Sequence, residues 1–208
     1  MGAAPSRNRL AVGFILVIAS MLLLFVAPAG LFVDATFVST TCMIVVSVAL
    51  GGYRALFRPS PKSIASGLAV AVLLYLFFIG GNLGISLFHP LGIGTSNENS
   101  IYSLIASPSN PLYLQFLVLV FDAVGYESFF RGVLQRRLSS RLGVASPVAV
   151  AAIDAGVHVL SLNPLWVVST FIVDTVWGYN YRFTKDISGN IVSHFIWDIL
   201  IFVLFPIH

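Results

Sequence analysis

The chain has 208 residues, of which 58% are hydrophobic and only 9% are charged. Soluble globular domains carry about 25% charged residues, so this composition excludes an ordinary soluble protein and indicates an integral membrane protein. The net charge of +3 then reports orientation in the membrane rather than affinity for nucleic acid, and the single Cys42 excludes a disulfide framework.

Apolar runs long enough to cross a bilayer recur along the chain. They predict an all-α, polytopic membrane protein with about seven transmembrane helices. We expect the spans at approximately residues 10–33, 35–53, 64–88, 111–138, 147–162, 164–181 and 188–206. The longest connection, residues 89–110, is rich in Gly, Ser, Asn and Pro and is too polar for an eighth span. Residues 1–208 are therefore predicted to form a single membrane domain.

Basic residues flank these spans on one side only. If the N-terminus is cytoplasmic, seven spans place every flanking Lys and Arg in the cytoplasm, as the positive-inside rule requires, and leave the C-terminus outside. We expect the protein in the plasma membrane of a prokaryote. The flanking basic residues are Arg7, Arg9, Arg54, Arg58, Lys62, Arg136, Arg137, Arg141, Arg182 and Lys185.

Ionisable side chains lie inside the last four predicted spans and in none of the first three. At a rise of 1.5 Å per residue, they share a layer about 8–16 Å from the cytoplasmic ends of their helices. This asymmetry predicts a three-helix scaffold over residues 1–90 and a four-helix, motif-bearing bundle over residues 111–208. The residues in this layer are Glu127, Arg131, Asp154, His158, Asp174, His194 and Asp198.

Six of these residues form pairs spaced four apart, which places each pair on one helix face. An ionisable group in hydrocarbon costs roughly 2.5–3.5 kcal/mol even on mild scales, so the pairs predict a functional site. Asp122 and Tyr126 form a further pair, predicted on a different face from Glu127. The six paired residues are Glu127 with Arg131, Asp154 with His158, and His194 with Asp198.

Structural alternatives stay open at this point. Glu127 and Arg131 can form an ion pair that holds helices together, and His158 can be a hydrogen-bonded core residue. Two histidines with carboxylates can also bind a divalent metal, although the sequence has no H-E-x-x-H zincin motif. It has no P-loop and no dinucleotide fingerprint either. We therefore predict no cofactor and no metal site, with the divalent metal as a minority alternative.

Three motifs in order resemble the CPBP family, which contains the type II CAAX prenyl endopeptidases and bacteriocin-processing relatives. They are Glu127-Ser-Phe-Phe-Arg131-Gly132, then His158, then His194-Phe-Ile-Trp-Asp198. The family signature is Glu-Glu-x-x-x-Arg, then Phe-x-x-x-His, then His-x-x-x-Asn or Asp, on separate membrane helices. The resemblance covers roughly residues 111–208.

This resemblance implies a glutamate-type, metal-independent intramembrane endopeptidase without a covalent intermediate. A Glu and the second-motif His, here Glu127 and His158, would activate a water molecule. The third-motif residues, here His194 and Asp198, would stabilise the oxyanion. Arg131 would orient the carboxylate of Glu127.

Two positions depart from the family signature. Tyr126 stands where the family has its first Glu, and a tyrosine with a pKa of about 10 is a poor base at neutral pH. Asp154 stands where the family has Phe, which adds a carboxylate one turn from His158. Either Glu127 or Asp154 supplies the base, or the hydrolytic chemistry is lost.

The leading hypothesis is a CPBP-like endopeptidase that cleaves a membrane-associated peptide, for example a CAAX-type or lipidated substrate. The expected partners are membrane lipid and that substrate, with no nucleic acid. The second hypothesis is a catalytically degenerate CPBP-fold protein that acts as a binding or scaffold subunit with other membrane proteins. The third is a proton- or metal-coupled transporter that uses the same acids and histidines.

Overall fold

The computed structural model describes residues 7–51, 57–86 and 111–205, and these consist of helices and their connections, without a strand. The predicted all-α class is therefore confirmed. A π-helical segment, Glu127–Gln135, joins the fourth and fifth α-helices, and a second one, Ile199–Leu204, extends the last α-helix. The α-helices are α1 (Arg7–Val26), α2 (Phe32–Ala49), α3 (Pro61–Ser86), α4 (Leu112–Tyr126), α5 (Arg136–Leu142), α6 (Ser146–His158), α7 (Pro164–Thr184) and α8 (Ile187–Asp198).

Five helical stretches in the described residues are long and apolar enough to cross a membrane. One of them, Leu112–Ser161, has 50 residues, and a single crossing needs only about 20. It covers all but one residue of each of the fourth and fifth predicted spans. Helix α7 has 21 residues but is more polar, with Asp174 and Arg182 inside it. These helices are those of an integral membrane protein, while the count of seven and the side of each terminus stay predictions.

The first predicted span, residues 10–33, is too long. Helix α1 ends at Val26 and α2 begins at Phe32, because Pro28 lies between them and cannot continue a helix. The fifth predicted span is likewise long, since α6 ends at His158 and a short 3₁₀ turn, Val159–Ser161, follows. The predicted span ends at residues 53, 88 and 206, and the connection over residues 89–110, lie outside the described residues.

Local signals set the ends of the helices that carry the motifs. Gly143 has φ +52° between α5 and α6, in the region that favours glycine. Asn163 caps α7: its Oδ1 accepts from the backbone N–H groups of Leu165 at 3.0 Å and Trp166 at 3.2 Å. Asp186 caps α8 by accepting from the backbone N–H of Ser188 at 3.0 Å. These signals separate α6, α7 and α8 into distinct helices.

Two buried apolar clusters hold the helices around the motifs. The first joins α1 and α2 to the π-helical segment through Met21, Met43 and Phe130. The second joins α3, α7 and α8 through Leu74, Trp177 and other residues. Within a membrane, such contacts among helices are stabilised by van der Waals packing rather than by removal of apolar surface from water. The separation into a three-helix scaffold and a four-helix, motif-bearing bundle stays a prediction. In the structure the two predicted parts are in contact, because α2 packs on α4 and α3 packs on α8.

Helices α3 and α8 approach closely at Gly67 and Gly189, where a Cβ on Gly67 would overlap the carbonyl oxygen of Gly189. We expect Gly67→Ala to destabilise the protein by about 1–3 kcal/mol, because backbone cannot give way as a side chain can. The measurement is the Tm of the purified protein in detergent. Gly80→Ala is the matched control, because a Cβ there meets no atom within 4 Å. Equal Tm values for the two variants would contradict the prediction.

Candidate active site

Four helical elements bring polar side chains to one cavity of about 420 Å³. Its lining is largely apolar, and the ionisable groups come from α4, α6, α7 and α8. Glu127 and Arg131 do not line the cavity and lie behind its wall. The other four residues predicted for the site do line it. The ionisable side chains that line the cavity are Asp122, Tyr126, Asp154, His158, Asp174, His194 and Asp198.

Glu127 is fully buried and its two carboxylate oxygens both have partners. Oε2 accepts from Asn190 Nδ2 at 2.9 Å and lies 3.4 Å from Arg131 Nε. Oε1 lies 3.3 Å from His194 Nδ1. The predicted pairing with Arg131 on one helix face is therefore present. The Glu127 side chain is 0% exposed and does not line the cavity, so this carboxylate positions its neighbours.

Arg131 ties the π-helical segment to α7. Its Nη2 donates to Asp174 Oδ1 at 2.7 Å and to the Asp174 carbonyl oxygen at 2.8 Å. The wider turn of this segment is visible where the backbone N–H of Arg136 bonds to the carbonyl of Arg131, five residues back. Short π-helical segments of this kind are frequent at functional sites. The guanidinium is thus shared between two buried carboxylates, Glu127 and Asp174.

Asp174 and the second motif meet at the cavity. Asp174 Oδ2 and Asp154 Oδ1 are both buried without a hydrogen-bond partner in the described part of the chain. Asp154 Oδ1 lies 3.5 Å from His158 Nδ1, and the same nitrogen lies 3.0 Å from the backbone oxygen of Asp154. The predicted pair on α6 is present, and it lines the same cavity as Asp174.

His194 contacts three carboxylates at once. Besides Glu127 at Nδ1, its Nε2 lies 3.5 Å from Asp198 Oδ2 and 3.7 Å from Asp122 Oδ2. The Trp177 ring stacks on the imidazole, with centroids 4.0 Å apart. Asp122 was predicted on a different face from Glu127. Both nevertheless reach His194, because the two ring nitrogens of an imidazole point in different directions.

Asn190 was not identified from the sequence, although it lies four residues before His194 and so shares its helix face. Its Nδ2 donates to Glu127 and, at 2.7 Å, to the backbone oxygen of Trp177. Its Oδ1 accepts from Asn180 Nδ2 at 2.7 Å. This side chain, which does not line the cavity, holds the carboxylate of Glu127 in place. The same spacing rule that identified Asp198 could have found it.

Tyr126, the departure from the family signature, is buried and lines the cavity. Its ring stacks on Phe130 with centroids 5.2 Å apart and meets the His194 ring edge-on at 5.9 Å. It therefore occupies space beside the third motif without supplying a base. Three other side chains have the spacing of a metal site: in the described part of the chain, Asp122, His194 and Asp198 each offer one ligand atom within 4.8 Å of the others.

Comparison with known proteins agrees with this arrangement. Residues 108–200 match the family model described as type II CAAX prenyl endopeptidase Rce1-like. The match covers just under half of the chain and includes all three motifs, so the predicted resemblance to the CPBP family is confirmed. No curated protein and no solved structure matches the chain significantly.

Proposed function

We propose that this chain, whose motif-bearing segment has the type II CAAX prenyl endopeptidase pattern, hydrolyses a peptide bond in a membrane-associated substrate. The match is to a protease family. The observation that carries the proposal is the meeting of two polar pairs from different helices at one cavity. Asp154 with His158 comes from α6, and His194 with Asp198 comes from α8. Hydrolysis needs a water-activating group and a group that stabilises an oxyanion, and the two pairs fill these two roles.

We assign the base to Asp154 rather than to Glu127. Glu127 does not line the cavity, and its carboxylate is taken up by Arg131, Asn190 and His194. Asp154 lines the cavity beside His158. A general base must reach the proton it removes directly or through one water. Of the two carboxylates that the resemblance left open, only Asp154 meets this condition.

In the proposed reaction, Asp154 accepts a proton from a water molecule that His158 helps to orient, and the water oxygen attacks the scissile carbonyl carbon. The carbonyl oxygen becomes the oxyanion of a tetrahedral intermediate, to which His194 donates while Asp198 beside it orients the imidazole. The proton then passes to the leaving nitrogen, the C–N bond breaks, and an acid and an amine result. General base catalysis typically contributes about 10²–10⁴-fold, and each group that stabilises the oxyanion contributes about 3–4 kcal/mol.

The cavity supports a substrate with an apolar segment beside its scissile bond. Most of its wall is formed by apolar and aromatic side chains, including Phe77, Phe78 and Trp166. A volume of about 420 Å³ is within the range of sites that enclose small ligands or side chains. A lipidated or CAAX-type peptide fits these properties, and so does the apolar end of another membrane peptide.

Tyr126 favours a second candidate function, that of a binding or scaffold subunit without catalysis. It occupies the position of the family's first Glu, and its ring is packed between Phe130 and His194. The apolar cavity would then hold a peptide or lipid tail of another membrane protein without cleaving it.

The test is cleavage of a panel of membrane-anchored peptides, including prenylated CAAX peptides, by the purified protein in lipid vesicles. We expect a new N-terminus, detected by mass spectrometry, and no cleavage by His158→Ala. We expect Tyr126→Glu to cleave no faster than the natural chain, because the base is already present on α6. No cleavage by the natural chain, with cleavage gained in Tyr126→Glu, would instead establish the second candidate.

A further inference from the structure

A second cavity, of about 210 Å³, lies where the π-helical segment passes into α5 and where α7 ends. It shares no lining residue with the cavity of the candidate active site. Three basic and four uncharged polar residues form its wall, and no carboxylate of the described residues lines it. The composition of this wall is that of a site for an anion.

The three basic residues have no anion to balance them. Arg136 and Lys185 are exposed and Arg182 is partly buried, and within the described ranges none of the three forms an ion pair. Arg182 Nη1 donates to the carbonyl oxygen of Gly143 at 3.2 Å, which holds this guanidinium in place. Asp186, next to Lys185, caps α8 and does not line the cavity. Like charges around one small cavity repel one another, and a bound anion would offset this repulsion.

Gln135 provides a second, independent observation. It lines the cavity but is only 2% exposed, and its Nε2 donates to the carbonyl oxygen of Gly178 at 2.8 Å. A carbonyl oxygen can only accept, so this contact fixes which end of the amide is the nitrogen. Gln135 Oε1 is then left buried without a hydrogen-bond partner in the described part of the chain, which calls for an explanation. A hydroxyl group on a bound ligand would supply the missing donor.

Helix α6 adds the positive end of its dipole to the cavity. This helix of 13 residues begins at Ser146, which is 0% exposed and lines the cavity. Its N-cap residue, Ala145, provides no side-chain hydrogen bond. Backbone N–H groups at a helix N-terminus favour negative charge. Tyr181, buried at the same cavity, adds a phenolic group that can donate.

The surroundings favour a lipid as the source of the anion. The cavity is smaller than the roughly 300–1,000 Å³ of sites that enclose whole ligands, so it suits a headgroup without its acyl chains. Exposed apolar side chains flank it. Leu142 and Val144 lie on either side of the Gly143 that Arg182 contacts, and Phe183 follows Arg182. Basic pockets between the ends of membrane helices bind anionic headgroups.

We propose that this cavity binds the phosphate group of an anionic phospholipid whose headgroup carries a hydroxyl, such as phosphatidylglycerol. Arg136, Arg182 and Lys185 hold the phosphate, and Gln135 Oε1 accepts from the headgroup hydroxyl. The bound lipid ties the start of α5 to the end of α7, beside the contact between Gln135 and Gly178. This site goes beyond the proposed peptidase and does not depend on it, because the two cavities are lined by different residues.

Lipid binding by the full-length protein tests the proposal. The protein is purified in detergent, washed free of lipid and titrated in a calorimeter with short-chain phosphatidylglycerol, with phosphatidylcholine of the same chain length and with inorganic phosphate. We expect saturable binding of one phosphatidylglycerol per chain, competition by inorganic phosphate and weaker binding of phosphatidylcholine. Phosphatidylmethanol, which has the same charge but no headgroup hydroxyl, should also bind more weakly than phosphatidylglycerol.

Variants separate a site from general attraction to a basic surface. Arg136→Gln and Lys185→Gln should each weaken the binding of phosphatidylglycerol by about fivefold. Both residues are exposed, so these variants should fold normally. Arg141→Gln removes an equal charge from the other end of α5, where Arg141 is exposed and does not line the cavity. It should leave the affinity unchanged.

Absence of saturable binding, equal affinities for phosphatidylglycerol and phosphatidylcholine, or equal losses in Arg136→Gln and Arg141→Gln would each overturn the site. Inorganic phosphate that binds as tightly as phosphatidylglycerol would overturn the lipid as the source of the phosphate. Equal binding of phosphatidylmethanol would overturn the role of Gln135. These titrations contain no peptide, so their outcome is separate from the success or failure of the proposed cleavage.

Discussion

Replacing Asp154 with asparagine is expected to lower the rate of peptide cleavage by about 10²–10⁴-fold, the usual contribution of a general base. The amide is nearly the same size as the carboxyl group but cannot accept the proton of the attacking water. The ion pair between Arg131 and Asp174 does not involve this side chain, so we expect it to persist. The measurement is the initial rate of cleavage in vesicles, together with the Tm of each purified variant.

Two further variants make the Asp154 result specific. Asp34→Asn removes an exposed carboxylate on α2 and should cleave at the natural rate. Glu127→Gln should lower the Tm, because Gln cannot replace the charge that faces Arg131 and His194. A different outcome would show that Glu127 is the general base. In that outcome Asp154→Asn cleaves at the natural rate, while Glu127→Gln loses cleavage although its Tm is unchanged.

Arg131→Met is expected to destabilise the folded protein by about 3–5 kcal/mol, the usual effect of removing one partner from a buried ion pair. The guanidinium is 0% exposed and lies between Glu127 and Asp174. Its removal leaves two buried carboxylates without their cation and removes both hydrogen bonds to α7. We expect a clearly lower Tm in detergent and loss of the folded fraction during purification.

Arg141→Met is the matched control, because Arg141 is exposed at the end of α5 and its removal should change the Tm little. The double variant Arg131→Met with Asp174→Asn should lose less stability than the sum of the two single changes, since the residues share one interaction. Additive losses in this cycle, or a Tm for Arg131→Met equal to that of Arg141→Met, would show that the ion pair does not hold the π-helical segment to α7.

The sequence was sufficient for the helical membrane class and for the contacts within each helix. Spacing of four along a helix depends only on helix geometry, so the pairs Asp154 with His158 and His194 with Asp198 could be predicted without a fold. The same rule failed to bring Asp122 to the site, because its contact with His194 crosses between α4 and α8. The end of α1 was misplaced because apolar composition continues past Pro28 although the helix does not.

The order of the motifs, their place in apolar helices and the family they resemble were thus set by the sequence itself. Only the tertiary structure decided which carboxylate meets the cavity. Glu127 and Asp154 both lie next to motif residues in the sequence, but packing of α8 against the π-helical segment buries Glu127 under Asn190 and His194. Asp154 stays at the cavity wall. Burial of this kind depends on contacts between residues more than 60 positions apart, and no local pattern in the chain encodes them.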